Sequence, residues 1–139
     1  MKQVSILLMA ASMLFASCAR TITVEYQKET ANTGTVVLLP TRPYEAATVT
    51  MNDNALYERC DLKVLTIKNV PLGKHKIVIG TGSEYYLSKE PQTLEVDMTA
   101  AGKTITKQVE PPKYNAMYWA LNIGGGLVGA VLILLTLPK

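Results

Sequence analysis

Two uncharged apolar segments, one near each end of the chain, constrain the fold of this 139-residue protein more than any other feature. Residues 4–18 follow a single Lys2 and carry no charge, and residues 117–137 carry none either. Every other charged residue except the last, Lys139, lies between these segments. The middle of the chain is therefore long enough for one modest domain, and the two ends need their own explanation.

The N-terminal segment has the layout of a secretory signal peptide, with a lysine, an apolar run and then small residues, and it is short for a membrane span. Its last residues, Phe15-Ala16-Ser17-Cys18, resemble the lipobox of bacterial lipoproteins, which prefers Leu where this chain has Phe15. The resemblance implies that residues 1–17 are a lipoprotein signal peptide and that the Cys18 thiol carries a diacylglycerol group. The alternative is an ordinary signal peptide cleaved nearby, with Cys18 merely the first cysteine of a secreted domain.

The other cysteine, Cys60, has a state that depends on Cys18. With Cys18 lipidated, Cys60 is an odd thiol in an oxidising compartment, and burial as a small apolar side chain is the expected outcome. If Cys18 carries no lipid, a disulfide between Cys18 and Cys60 is the alternative.

As a helix, with a rise of about 1.5 Å per residue, the C-terminal segment of residues 117–137 would be as long as the hydrocarbon layer of a bilayer is thick, about 30 Å. Aromatic residues cluster at its start, as is typical of an anchor at the water interface. We therefore predict that residues 114–139 form a transmembrane helix with a short tail, the alternative being a buried core helix. The aromatic residues are Tyr114, Tyr118 and Trp119.

Small residues and one amide share a face of this predicted helix. Asn122, Gly125 and Gly129 align on it, with Gly126 and Ala130 beside them. A Gly-x-x-x-Gly pattern allows two helices to approach closely, and an Asn side chain hydrogen-bonds across such a pair. This face is predicted to pack against another helix, including a second copy of the chain; the alternative is a span that only anchors.

The middle of the chain has the period-2 alternation of β-strands. Turn signals rich in Gly, Pro, Asn and Asp separate the strands, and no amphipathic helix interrupts them. We predict an all-β fold for residues 18–113, a small antiparallel β-sandwich of about seven strands. The predicted strands cover residues 21–26, 35–39, 47–51, 62–68, 74–79, 93–98 and 103–109, and the apolar run 35–39 is expected to be covered on both faces.

A family resemblance adds to this interpretation. Residues 41–54, then residues 65–79 with their Pro71-Leu72-Gly73 turn, and then Tyr85-Tyr86 resemble the PEGA domain of bacterial surface and periplasmic lipoproteins. Glu45-Ala46-Ala47 stands where that family has its eponymous glycine. Residues 118–129 are similar to the glycine-rich segment that closes some small PEGA-like lipoproteins. The resemblance implies a binding or architectural module at the cell envelope, and it carries no catalytic residues.

Groups for chemistry are few. The single histidine, His75, has the same strand parity as Ile77 and Ile79, so we expect it at the rim of the core with satisfied hydrogen bonds. No nucleophile motif, phosphate loop or metal-ligand spacing is present, and we predict neither an enzyme nor a bound cofactor or metal. Tyr85 and Tyr86 are candidates for contact with a glycan or peptide, against packing within the fold. A net charge of +3 without a basic run argues against nucleic-acid binding.

These features together predict a lipoprotein of the cell envelope whose domain faces the periplasm, on either the inner or the outer membrane. The expected partners are membrane lipid and envelope proteins, or further copies of the chain, and the expected role is structural or adaptor-like. Two alternatives stay open, a carbohydrate- or peptide-binding surface module and a subunit of an oligomeric export pore. The absence of a broadly polar face on residues 117–137 argues against a water-filled lumen.

Overall fold

A computed structural model describes residues 19–28 and 30–123. Every predicted strand is present, so the all-β prediction for the domain is confirmed. Residues 116–123 form a helix, α1, which begins inside the predicted C-terminal helix. The strands are β1 (Arg20–Glu25), β2 (Thr33–Pro40), β3 (Tyr44–Met51), β4 (Asn54–Pro71), β5 (Gly73–Thr81), β6 (Gln92–Met98) and β7 (Thr104–Val109).

The strands form one sheet in the order β6-β5-β3-β4-β2-β7, and β1 also pairs with β4. Four pairings are antiparallel, but β1 lies parallel to β4 and β2 lies parallel to β7. The expectation of an entirely antiparallel sheet is therefore wrong. The parallel partners are far apart in sequence, and the intervening strands supply the long crossover that a parallel pair needs.

The two ends of this strand order come close to each other. β6 and β7 are connected by residues 99–103, and the Gln92 side-chain amide donates to the carbonyl oxygen of Glu110 beyond β7. Gly34 of β2 lies against the Met98 side chain and the Lys103 carbonyl at the same seam. The expected two-layer sandwich therefore takes the form of one bent sheet that nearly closes into a barrel.

The bend is concentrated in β4, which has 18 residues. Its first part pairs with β3, and its second part lies between β2 and β1. Arg59, near the end of the part that pairs with β3, has a φ of 51°, a left-handed conformation that a non-glycine residue rarely adopts inside a strand. Residues 54–61 were not predicted as a strand, because Glu58, Arg59 and Asp61 interrupt the alternation.

One hydrophobic core fills the bent sheet. Each strand from β2 to β7 contributes fully or almost fully buried side chains, and Tyr44 is the largest of them. Each such side chain stabilises the fold by about 1.5–3 kcal/mol through removal of apolar surface from water. Leu39 of β2 is 43% exposed, so the expectation that residues 35–39 are covered on both faces is wrong.

The strand register places both flanks of the domain at one end of the sheet. Arg20, where β1 begins, and Tyr44, where β3 begins, both pair with Leu62 of β4. Pro40, where β2 ends, pairs with Val109, where β7 ends. We call this end the junction end. The opposite end holds the turn before β5 and the β3–β4 turn.

Several predicted features lie outside the described residues. These are the signal peptide with Cys18, and the part of the predicted membrane helix that contains Gly125, Gly126, Gly129 and Ala130. Within residues 19–28 and 30–123, no helix has the length and apolar character that crossing a membrane requires.

Candidate functional site: an aromatic junction

The junction end carries a cluster of aromatic rings where the chain passes from β7 into α1. The cluster joins residues of β3, of the 82–91 connection between β5 and β6, and of the segment that leads into α1. We call it the aromatic junction. Its rings belong to Tyr44, Tyr85, Tyr86, Tyr114, Tyr118 and Trp119.

Tyr114 is the centre of the aromatic junction. Its ring stacks on that of Tyr86 at a centroid distance of 5.2 Å and on that of Tyr118 at 3.6 Å. The Trp119 ring meets Tyr114 edge-on at 6.4 Å, and Tyr44 meets Tyr86 edge-on at 5.9 Å. Aromatic pairs of this kind each contribute about 0.5–1.5 kcal/mol beyond the burial of their area. The start of α1 is therefore in continuous aromatic contact with the core.

Backbone hydrogen bonds hold the same segment. The Leu87 N–H donates to the Lys113 carbonyl at 2.9 Å, and the Asn115 N–H donates to the Tyr85 carbonyl at 2.7 Å. Tyr86 and Tyr114 form the antiparallel bridge between these bonds. Residues 113–115 thus lie along residues 85–87 as a short ladder.

Arg42 reaches across from the loop before β3. Its guanidinium carbon lies 4.2 Å from the centroid of the Tyr114 ring, a cation–π contact. One terminal nitrogen donates to the carbonyl oxygen of Pro111 at 3.2 Å and also to that of Pro112. Because prolines have no N–H, this segment cannot form a regular strand ladder, and Arg42 instead satisfies the carbonyl oxygens of the two prolines.

Glu45 bonds the parts of the aromatic junction to one another. Its two carboxylate oxygens accept from the Tyr114 hydroxyl at 3.2 Å and from the Ser83 hydroxyl at 3.0 Å. Its backbone N–H donates to the Tyr86 hydroxyl at 2.9 Å, and its carbonyl accepts from Thr81 at 2.8 Å. One residue of β3 therefore fixes both segments that meet at α1.

The phenols of the aromatic junction are held in their protonated form. Burial, with a smaller contribution from Tyr86, raises the pKa of Tyr44 to about 12. Burial raises the pKa of Tyr114 further still, with added contributions from Tyr86 and Glu45. Burial also raises the pKa of Tyr86. These hydroxyls therefore stay protonated near neutral pH and are available as hydrogen-bond donors.

Asn115 begins α1 as its N-cap. Its side-chain oxygen accepts from the Tyr118 N–H at 3.1 Å, and its amide nitrogen donates to the Glu84 carbonyl at 2.6 Å. Asn122, predicted to bond across a helix pair, is exposed and donates to the Tyr118 carbonyl of its own helix at 2.9 Å. The direction in which α1 leaves the domain is thus set by bonds to the sheet.

The candidate ligand residues Tyr85 and Tyr86 separate in the structure. Tyr86 is 3% exposed and belongs to the interior of the aromatic junction. Tyr85 is 36% exposed and lines a shallow groove of about 390 Å³ together with Glu45, Asp61 and Ser83. A second groove, of about 410 Å³, lies at the opposite end beside Asn52 and is bordered by Lys74, His75, Lys76, Glu95, Val96 and Asp97.

His75 has both ring nitrogens hydrogen-bonded. Its Nε2 lies 2.8 Å from the Pro71 carbonyl oxygen, which requires a proton on Nε2. Its Nδ1 then accepts from the Asn52 amide at 2.9 Å. Since Asn52 precedes β4 and Pro71 ends it, His75 holds the two ends of the bent strand near each other. Cys60 is half-buried on β4 and packs against the core.

Comparison with protein-family models, curated proteins and solved structures finds no match to this chain. The functional interpretation of the aromatic junction therefore depends on the contacts seen in this structure. Within the described ranges, no three or more His, Cys, Asp or Glu side chains converge as metal ligands do. The sequence analysis singled out every aromatic residue of the junction except Tyr44, and it missed Arg42, Glu45 and Ser83.

Proposed function

We propose that this protein is a lipoprotein of the bacterial cell envelope with a PEGA-like domain, which both ends of the chain hold at one membrane. Its role is structural or adaptor-like. The observation that carries the proposal is the shared junction end. Arg20, two residues after the candidate lipidation site Cys18, pairs with the same β4 residue as Tyr44 of the aromatic junction.

Two anchors can enter the same bilayer surface only if they leave the domain at the same end. Neighbouring strands lie about 4.8 Å apart, so two residues that flank one strand position are within about 10 Å of each other. A lipid on Cys18 and a spanning helix after α1 then enter the same leaflet side by side. The two acyl chains of a diacylglycerol give stable retention by themselves, and a spanning helix as a second anchor also fixes the orientation of the domain.

The backbone at Ala46 supports the PEGA resemblance. Ala46 has a φ of 44°, in the left-handed region that favours glycine. It lies in the Glu45-Ala46-Ala47 triplet, where the family has its eponymous glycine. The Ala46 N–H donates to Asp61 at 3.0 Å, which holds this bulge in β3.

The aromatic junction supports the adaptor role. Through Arg42, Glu45 and Asn115, the first turn of α1 is fixed to the sheet rather than joined by a slack linker. In this proposal, α1 extends to residue 137 as the membrane helix. Its face with Asn122, Gly125 and Gly129 then presents a packing surface at a fixed angle to the β-domain, to a partner helix or a second copy.

Membrane fractionation of the full chain expressed in a bacterium tests the two anchors separately. Exchange of residues 1–18 for a signal peptide that is cleaved without lipidation removes the lipid site together with the apolar N-terminal run. Val128→Arg/Leu132→Arg places two charges in the hydrocarbon, each costing about 2.5–3.5 kcal/mol. We expect each variant to weaken retention after an alkaline wash, and the combination to release the protein. Cys60→Ala, the matched cysteine control, leaves retention unchanged. Full retention of the combined variant contradicts the proposal.

Detergent-extracted size tests the packing helix. Gly125→Leu/Gly129→Leu fills the small-residue face without adding charge, and we expect the wild-type assembly to become smaller. A wild-type protein that is monomeric, or an assembly indifferent to these substitutions, contradicts the packing role and leaves the anchoring role standing.

A further inference from the structure

Leu87 is the most exposed of the large hydrophobic residues identified on the described surface, at 69%. It lies in the 82–91 connection, where a short apolar side chain is ordinarily free to turn inward. Here the backbone prevents this, because the Leu87 N–H is bonded to the Lys113 carbonyl at 2.9 Å within the short ladder of residues 85–87 and 113–115. The backbone contacts of the aromatic junction therefore keep the Leu87 side chain exposed.

The helix that follows the ladder is also apolar and exposed. Just beyond the ladder, α1 presents further side chains that are more than half exposed, and the uncharged run of residues 117–137 starts with them. Lys113 and Met117 are four residues apart, so at most about 14 Å of chain separates them. The headgroup layer on each side of a bilayer is about 5–8 Å thick, and interfacial side chains enter about 5–10 Å. The exposed side chains of α1 are Met117, Trp119, Leu121 and Ile123.

We propose that the 82–91 connection is a third membrane contact, in which Leu87 inserts into the interfacial layer of the lipid bilayer next to the point where α1 enters it. This proposal rests on the proposed function, since it assumes that residues after α1 span the membrane. The occupant of the apolar surface is the bilayer itself, because the ladder that holds Leu87 leads within a few residues into the uncharged run.

The contact is apolar rather than electrostatic. In the same connection, the Lys89 ammonium pairs with the Glu84 carboxylate at 2.6 Å, and Glu90 leaves the connection with a net charge of −1 and no basic excess. Insertion of the leucine side chain removes its apolar surface from water, which holds this side of the domain against the bilayer once the anchors are in place. We therefore expect the contact in zwitterionic bilayers, and at high salt.

Site-directed spin labelling of the full chain in phosphatidylcholine vesicles tests this. In a Cys60→Ala background, a nitroxide is attached at Leu87→Cys, and its collision rates with oxygen and with a water-soluble nickel chelate are compared. Leu72→Cys is the matched control, because Leu72 is also an exposed leucine, at 44%, but lies at the opposite end. Leu132→Cys reports whether the C-terminal segment is in the hydrocarbon.

We expect the Leu87 label to be shielded from the nickel chelate at least about threefold relative to the Leu72 label, since the chelate is excluded from the bilayer interior. Equal access at both positions, with the Leu132 label in hydrocarbon, overturns the third contact and leaves the anchoring proposal intact. Access of the chelate to the Leu132 label overturns the proposed function, and the third contact with it.

Discussion

The same chemical change at two tyrosines of the aromatic junction is expected to have opposite effects on stability. The Tyr114 hydroxyl donates to the Glu45 carboxylate at 3.2 Å, so Tyr114→Phe removes a hydrogen bond and leaves a carboxylate oxygen without this donor. The Tyr44 hydroxyl is fully buried and has no hydrogen-bond partner among the described residues. Tyr44→Phe therefore removes an unsatisfied polar group and keeps the ring.

The magnitudes follow from these contacts. A hydrogen bond to a charged group contributes about 1.5–3 kcal/mol net, and we take about 1.5 kcal/mol for the half-buried Tyr114 bond. An unsatisfied buried hydroxyl costs about 1–3 kcal/mol, and we take about 1 kcal/mol for Tyr44. The two variants then differ by about 2.5 kcal/mol in the free energy of unfolding. For a domain of this size that separates their midpoints by about 10 °C or more.

Thermal unfolding of the full chain in detergent micelles, followed by circular dichroism at pH 7, measures this difference. We expect Tyr44→Phe to unfold at or above the wild-type temperature and Tyr114→Phe below it. Equal shifts of the same sign, or a Tyr44→Phe variant less stable than Tyr114→Phe, would refute the role assigned to the Tyr114–Glu45 bond.

Three further outcomes are expected. Gly34→Ala should destabilise the fold by about 1–3 kcal/mol in urea unfolding, because the new Cβ would lie 2.6 Å from the Lys103 carbonyl oxygen. Gly80→Ala, which has open space around its Cβ, should change stability little. Asn115→Ala should cost about 1 kcal/mol through loss of the N-cap, seen as faster amide exchange in the first turn of α1. The raised pKa of Tyr44 means that the folded state keeps a proton which the unfolded state loses, so stability should fall as the pH rises from about 10 toward 12, and less steeply in Tyr44→Phe.

The sequence predicted the strands well because one face of each lies on the core, which produces period-2 alternation. It failed for the first half of β4. There the left-handed Arg59 and the partly buried Asp61 break the alternation although the segment remains paired with β3. The parallel pairings were also missed, since β1–β4 and β2–β7 contacts depend on how the whole sheet bends. No local pattern encodes that bend.

The sequence likewise revealed some residues of the candidate site and not others. Aromatic residues before an uncharged run were recognisable as an interface anchor from their composition. Arg42 and Glu45 were not, because each is an isolated charge whose partner in the C-terminal segment lies 69 residues away along the chain. Tyr86 was considered for ligand contact because it adjoins Tyr85, yet alternation along the short ladder turns one ring outward and the other into the core.

Intact-mass analysis of the full chain purified from bacterial membranes tests the central claim most directly. The account predicts a mature chain that begins at Cys18 and carries the mass of a diacylglycerol modification, and it predicts that Cys18→Ala abolishes both the cleavage and the added mass. An unmodified mass, which Cys18→Ala changes by no more than the difference between the two side chains, would contradict a β-domain held at the membrane by both of its ends.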